Sequence, residues 1–324
     1  MPQERELTVP VDLARGRQLN PDAVGWSRTP LHRTEIDGWG RTKRWEYWGI
    51  VTDTHVIGLT VAGLDYLSTA SIYVLERTTK REWRRDGISP FARPRLSDVP
   101  GDGTAALSAG GVDIEITDAP GATAIRAEAK GVRLAVEVER DGTDSLSVVV
   151  PWSERHFQMT TKDLANRVAG TLTLDGEEHE VRGWAVLDRG RGRWPYRNTW
   201  NWGAGSGVVH GERVAVQVGG RWTDGTGSTE NAIFVAGRLH KISEDLEWVY
   251  DRDEWESPWH VLGERIALTF RPFHVRHAMT EAGVIAVKTH QAFGRWNGMV
   301  ILEDGTPQRV DDVVGWAEEC RNRW

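Results

Sequence analysis

Along residues 132–139, apolar Val132, Leu134, Val136 and Val138 alternate with a set that includes Arg133, Glu137 and Glu139. A period of two sorts side chains onto the two faces of an extended strand, one dry and one wet, and has no counterpart in a helix. Short runs rich in Val, Ile and Thr recur at 55–61, 71–76, 112–116, 146–150, 168–174, 213–218, 232–239, 265–270 and 284–290, broken by Gly, Asp and Asn. Asp-Gly pairs at 141–142, 175–176 and 304–305 read as hairpin turns, the first joining 132–139 to 145–150. The expected fold class is therefore all-β and antiparallel. One segment breaks the pattern: Val310, Val313, Val314 and Ala317 fall at helical spacing behind Asp311 and Asp312, with Arg321 and Arg323 at the far end. That order of charge suits a helix dipole and predicts a short C-terminal helix.

A chain of 324 residues can hold two ordinary cores. The halves also read as weak copies. Trp45-Glu-Tyr-Trp48 precedes one strand as Trp200-Asn-Trp202 precedes another, with Trp48 aligned to Trp202, and Ala70–Val74 resembles Asn231–Val235. Duplication favours two β-barrels, residues 1–155 and 165–324, over one large sandwich, with a linker near 151–166 and a long loop at 89–104.

Composition removes several function classes. The net charge of -7 carries no electrostatic footprint for nucleic acid. Cys320 is alone, so neither an intrachain disulfide nor a cysteine zinc cage can form. No stretch approaches the roughly 20 apolar residues of a membrane span, and the first residues lack a signal-peptide pattern, so a cytoplasmic location is expected. Gly203–Gly207 is neither a phosphate loop, since strand-like residues follow it, nor a nucleophile elbow, since position 204 is Ala. His274 and His277 suit a metal only on a helix, and on a strand they face opposite ways, so no metal is expected.

The stretch 183–207 gathers Trp184, Asp188, Arg193, Trp194, Tyr196, Arg197, Trp200 and Trp202. Large rings mixed with charges make costly plain core, because every buried charge needs a partner. Asp188, at the end of an apolar strand, is the candidate general acid or base, with Tyr196 and His290 as its partners. Trp184, Trp200 and Trp202 would stabilise positive charge developing on a ligand, and Arg193 or Arg197 would pair a ligand carboxylate. Trp48 and Trp296 complete the aromatic ligand-binding set. The competing reading makes Asp188 half of an Asp–Arg pair closing a barrel mouth, and Trp296 a barrel-closing core residue.

Asn20–Arg28, Lys43–Trp48, Leu64–Tyr66, Asp188-Arg-Gly-Arg-Gly, Pro195–Gly203 and Gly294–Gly305 resemble the family numbered 2804 among domains of unknown function, over nearly the whole chain. Gly183-Trp184, Asp188 and the Trp-rich stretches are more distantly similar to proteins built from two lipocalin-like barrels, including carotenoid hydratases and related cyclases. This resemblance implies two lipocalin-like antiparallel β-barrels packed together around an aromatic-lined cavity, in a barrel mouth or between the barrels. The function it suggests is binding of a lipophilic small molecule, isoprenoid or polyketide-like, with acid/base hydration, isomerisation or cyclisation and no cofactor. The alternatives are a non-catalytic carrier or sensor of a hydrophobic ligand, and a carbohydrate binder.

Overall fold

The computed structural model describes residues 4–98, 104–282 and 285–323. Part of the expected 89–104 loop, and the start of the expected strand at 284, lie outside these residues. The chain divides into two compact units, Leu7–Trp194 and Pro195–Trp324, the second also taking the N-terminal residues up to Glu6. The boundary falls at Trp194, not at the expected linker: residues 157–166 lie inside a long strand.

The first unit is built on β1 (Thr42–Thr52), β2 (His55–Gly63), β3 (Ser68–Glu76), β4 (Glu82–Ser89), β5 (Thr104–Ala109), β6 (Val112–Ala119), β7 (Ala122–Ala129), β8 (Val132–Glu139), β9 (Leu146–Pro151), β10 (Phe157–Leu174) and β11 (Glu177–Arg193). Their order is β5-β6-β7-β8-β10-β11-β1-β2-β3-β4, every neighbour antiparallel, with β9 also on β10. The sheet curls until its ends meet. A Cβ on Gly87 of β4 would lie 1.8 Å from the Ala109 carbonyl oxygen of β5, so this approach admits only glycine. Alternating side chains of nearly every strand, among them Trp48, Leu59, Ile72, Ile114, Ile125, Leu134 and Leu187, form one buried core inside.

Asp175-Gly176 makes the expected two-residue turn between β10 and β11, both residues at positive φ. Asp141-Gly142 does not join paired strands. β8 and β9 both pair with β10, at different parts of its length, because an 18-residue strand can serve two shorter ones.

The second unit contains β12 (Arg197–Val209), β13 (Glu212–Gly220), β14 (Ala232–Val235), β15 (Arg238–Lys241), β16 (Glu247–Val249), β17 (Trp259–Leu262), β18 (Ile266–Ala282), β19 (Ile285–Ile301) and β20 (Pro307–Arg323). They form one sheet in the order β15-β14-β13-β12-β20-β19-β18-β17-β16, a half-barrel whose core holds Trp259, Phe270, Ala292, Trp296, Val313 and Ala317.

The C-terminal helix is replaced by strand β20. Asp311 and Asp312 together oppose Asn297 of β19, a bulge in which Asp312 takes φ 53° and donates its N–H to Asn297 Oδ1 at 3.0 Å. The extra residue shifts the strand's phase by one, so Val310 and Val313 both point inward three positions apart. A bulged strand thus imitates helical spacing.

The duplication is visible in topology. The series β8-β10-β11-β1-β2-β3-β4 of the first unit is matched by β18-β19-β20-β12-β13-β14-β15 of the second. Trp45 and Trp200 are the tryptophans that correspond. Trp48 faces the first core while Trp202 faces away from the second, so their alignment is one residue out, and a one-residue slip exchanges the faces of a strand.

Candidate functional site

Asp188 and Lys162 are directly opposed on β11 and β10, Nζ to Oδ1 at 2.8 Å, with both side chains nearly out of solvent. Thr160 donates its hydroxyl to Oδ1 at 3.1 Å and Trp45 its indole N–H to Oδ2 at 3.3 Å. Asp188 is therefore half of a buried ion pair, the structural alternative raised by the sequence, with a lysine in place of the expected arginine. The neighbouring Arg189 points to the barrel interior. It meets Glu46 Oε2 through Nε at 3.0 Å and NH2 at 2.8 Å, while Trp48 donates to Glu46 Oε1 at 3.1 Å. Trp48 is thus core that also holds a buried carboxylate. Trp184, half-buried, lies on the opposite face of β11 from Leu187.

Tyr196, Arg197, Trp200, Trp202, His290 and Trp296 belong to the second unit. Tyr196 is 38% exposed and Arg197 is exposed. Trp200 donates to Glu318 Oε1 at 2.9 Å and Trp202 to Gln217 Oε1 at 2.9 Å. Both tryptophans sit on the face opposite the core, away from His290. Trp296 is fully buried in the core and donates to the Ala204 carbonyl.

His290 is the predicted residue around which a polar constellation forms. It lies directly across the ladder from Glu319 of β20, and Glu319 in turn from Asn201 of β12, in one row on the core-facing side. Glu319 is 2% exposed. Its Oε2 accepts the Tyr250 hydroxyl and both Nε and NH2 of Arg252, at 3.0 and 2.9 Å, and Oε1 accepts Nε of Arg321 at 2.9 Å. Arg221 stands 3.4 Å from Oε2, and Asn201 Nδ2 donates to the Tyr250 oxygen at 3.1 Å. Tyr250 stacks on Trp259 with centroids 4.2 Å apart, and the Trp255 ring lies parallel to the His290 imidazole at 4.0 Å. His290 Nδ1 is 2.6 Å from Nδ1 of His277 on β18.

The titration of these groups follows from their packing. Burial alone would push Glu319 up, yet the hydrogen bonds from Tyr250, Arg252 and Arg321 outweigh it and hold the carboxylate below its ordinary range. Burial, then the bond to Glu319, pushes the Tyr250 phenol up. His290 is lowered to about 4 by burial, then by His277 and Lys288. Two Nδ1 atoms this close must share one hydrogen, so two imidazolium rings cannot face each other. At neutral pH His290 is an uncharged base. Glu319 supplies one negative charge to three guanidinium groups, so the locality is electropositive. It suits a developing oxyanion, not the developing cation expected from the tryptophans.

Sequence reasoning missed Tyr250, Arg252, Trp255 and Glu319, and weighed His277 only as a metal ligand. The aromatics interleaved with acids at 250–259 were a signal; the pairing of residues 290 and 319 depends on a register between long strands and carried none. Among the described residues no group of three His, Cys, Asp or Glu could hold a metal ion. Nor does any helix among them have the length and apolarity to cross a membrane.

The units define a class of antiparallel all-β protein, one curled barrel sheet and one half-barrel sheet. The chain belongs to the family with the domain of unknown function DUF2804, matched over residues 4–324. Among curated proteins no sequence matches the chain. Three solved structures share the fold: kievitone hydratase from Nectria haematococca (10% identity, 98% of each chain, TM-score 0.55), an AttH-type protein of Nitrosomonas europaea (14%, 87% of this chain and 92% of that one, 0.52), and CghA with Sch210972 (12%, 90% and 89%, 0.50).

Proposed function

We propose that this protein binds a lipophilic small molecule and moves a proton on it, in a hydration, isomerisation or cyclisation. The observation that carries this reading is the neutral His290, stacked on Trp255 and placed across from a buried Glu319 that holds three arginines. His290 accepts the proton and passes it to or from His277 through their shared hydrogen. Arg252 commits Nε and NH2 to Glu319, which leaves its NH1 group to face an oxygen as negative charge grows there. Tyr250 and Glu319 position the arginines, and Trp255 and Trp259 supply the apolar wall. A fold shared with a hydratase, kievitone hydratase, supports the reaction class by analogy alone.

Native mass spectrometry of the purified protein, followed by denaturing extraction, tests the binding. A retained lipophilic compound is expected. A protein that retains none, and whose tryptophan emission no apolar ligand alters, would contradict the reading.

A further inference from the structure

In the first unit, Arg15, Arg17, Gln18, Arg155 and Arg193 line a cavity of about 490 Å³. Three segments bring them together. The two-residue strands Ala14–Arg15 and Gln18–Leu19 pair as a tight hairpin that carries Arg17 at its turn. Leu19 donates its N–H to the Glu154 carbonyl at 2.8 Å, docking the hairpin on the loop that bears Arg155. Arg193 ends β11, between Thr42 and Phe157 in the ladder. Arg17 lies against Gly38, where a Cβ would be 2.2 Å from its Nε, so a side chain there would displace the guanidinium.

Charge in this cavity is gathered more than it is matched. Arg15 is paired with Asp22 at 2.7 Å. Arg193 is depressed by its burial and then by Arg17; Asp65 offsets this in part, and Arg41 adds to it. The Asp65 Oδ2 already accepts the N–H groups of Gly40 and Thr42, at 2.6 and 2.9 Å. Arg193 Nε and NH1 are shielded from solvent and meet no acceptor of the protein. Shielded guanidinium donors beside like charges are unfavourable until an anion meets them.

We propose that this cavity binds the phosphoryl group of a phosphorylated small molecule. Guanidinium forks match phosphate oxygens two at a time. Beyond the Arg15–Asp22 pair, three arginines remain, so a multiply charged phosphoryl group fits and a single carboxylate would leave most of the charge unmet. The assignment is independent of the proton-transfer reading, since every residue here lies in the first unit while His290, Tyr250 and Glu319 lie in the second.

Calorimetric titration of the full chain with sodium pyrophosphate, inorganic phosphate and citrate at matched ionic strength tests it. Saturable one-site binding of pyrophosphate, tighter than that of citrate, is expected. It should weaken about tenfold or more in Arg193→Gln and in Arg17→Gln, and stay unchanged in Arg84→Gln, whose guanidinium pairs with Asp86 elsewhere. Arg17 is exposed at a hairpin turn, so its variant keeps the fold even where Arg193→Gln does not. Absence of saturable pyrophosphate binding, binding unchanged in both variants, or citrate binding as tightly as pyrophosphate would overturn the assignment.

Discussion

The Tyr250 hydroxyl and the Arg252 guanidinium donate to the same oxygen of Glu319, Oε2, so one buried carboxylate fixes an aromatic side chain and a cation together. Glu319→Gln keeps the shape but replaces an acceptor oxygen with an amide N–H and removes the negative charge among three arginines. Charge-assisted bonds of this kind contribute about 1.5–3 kcal/mol each. The variant should lose at least about 2 kcal/mol in urea unfolding, and its melting temperature should recover partly with added salt. A loss below about 0.5 kcal/mol would mean that the carboxylate does not hold the cluster.

His290 gives a pH dependence of known sign. Its pKa in the fold, about 4, lies below the ordinary histidine value near 6.5 of the unfolded chain. The unfolded state therefore binds its proton first, and the associated stability is present above pH 6.5 and lost as pH falls through 4. Proton NMR should find the His290 midpoint near 4 in wild type and higher in His277→Ala, where one positive neighbour and its bond are gone. A His290 midpoint near 6.5 in wild type would contradict the packing described.

Asp188→Asn removes the counter-charge of Lys162, whose side chain is 3% exposed. Breaking a buried pair from one side costs about 3–5 kcal/mol, and denaturant unfolding should show a loss of that order. An unchanged midpoint would imply that Asp188 is free for another role.

Trp296 fills the second core against Gly203, where a Cβ would be 2.5 Å from the indole. Trp296→Ala should cost about 3–5 kcal/mol by leaving a cavity, and Gly203→Ala about 1–3 kcal/mol by overpacking. Thermal unfolding of both variants distinguishes this core role from a ligand contact, which would spare the apo protein's stability.

Much of the fold was legible because strands with one dry face print their period in the chain. Residues 132–139 and 112–116 alternate in the structure as they do in the sequence. What failed did so for identifiable reasons. The bulge at Asp311–Asp312 turned a period of two into an apparent period of three, and produced a helix on paper. The long β10, which pairs with both β8 and β9, made a non-hairpin of Asp141-Gly142. At the site, the Trp-rich stretch drew attention to Asp188, but local density of rings and charges does not reveal that Lys162, twenty-six residues earlier, lies opposite it. His290 was singled out; its company of Glu319, His277 and Tyr250 is set by tertiary register, which no local pattern records.

The most direct test of proton transfer at His290 is deuterium incorporation from D2O into the α-carbon of a panel of lipophilic ketones, followed by mass spectrometry. The wild-type protein should accelerate exchange of at least one ketone, and His290→Gln should lower that rate about a hundredfold or more while tryptophan quenching shows the ketone still bound. Exchange that His290→Gln leaves unchanged, or a wild-type protein that binds these ketones and exchanges none, would contradict the account.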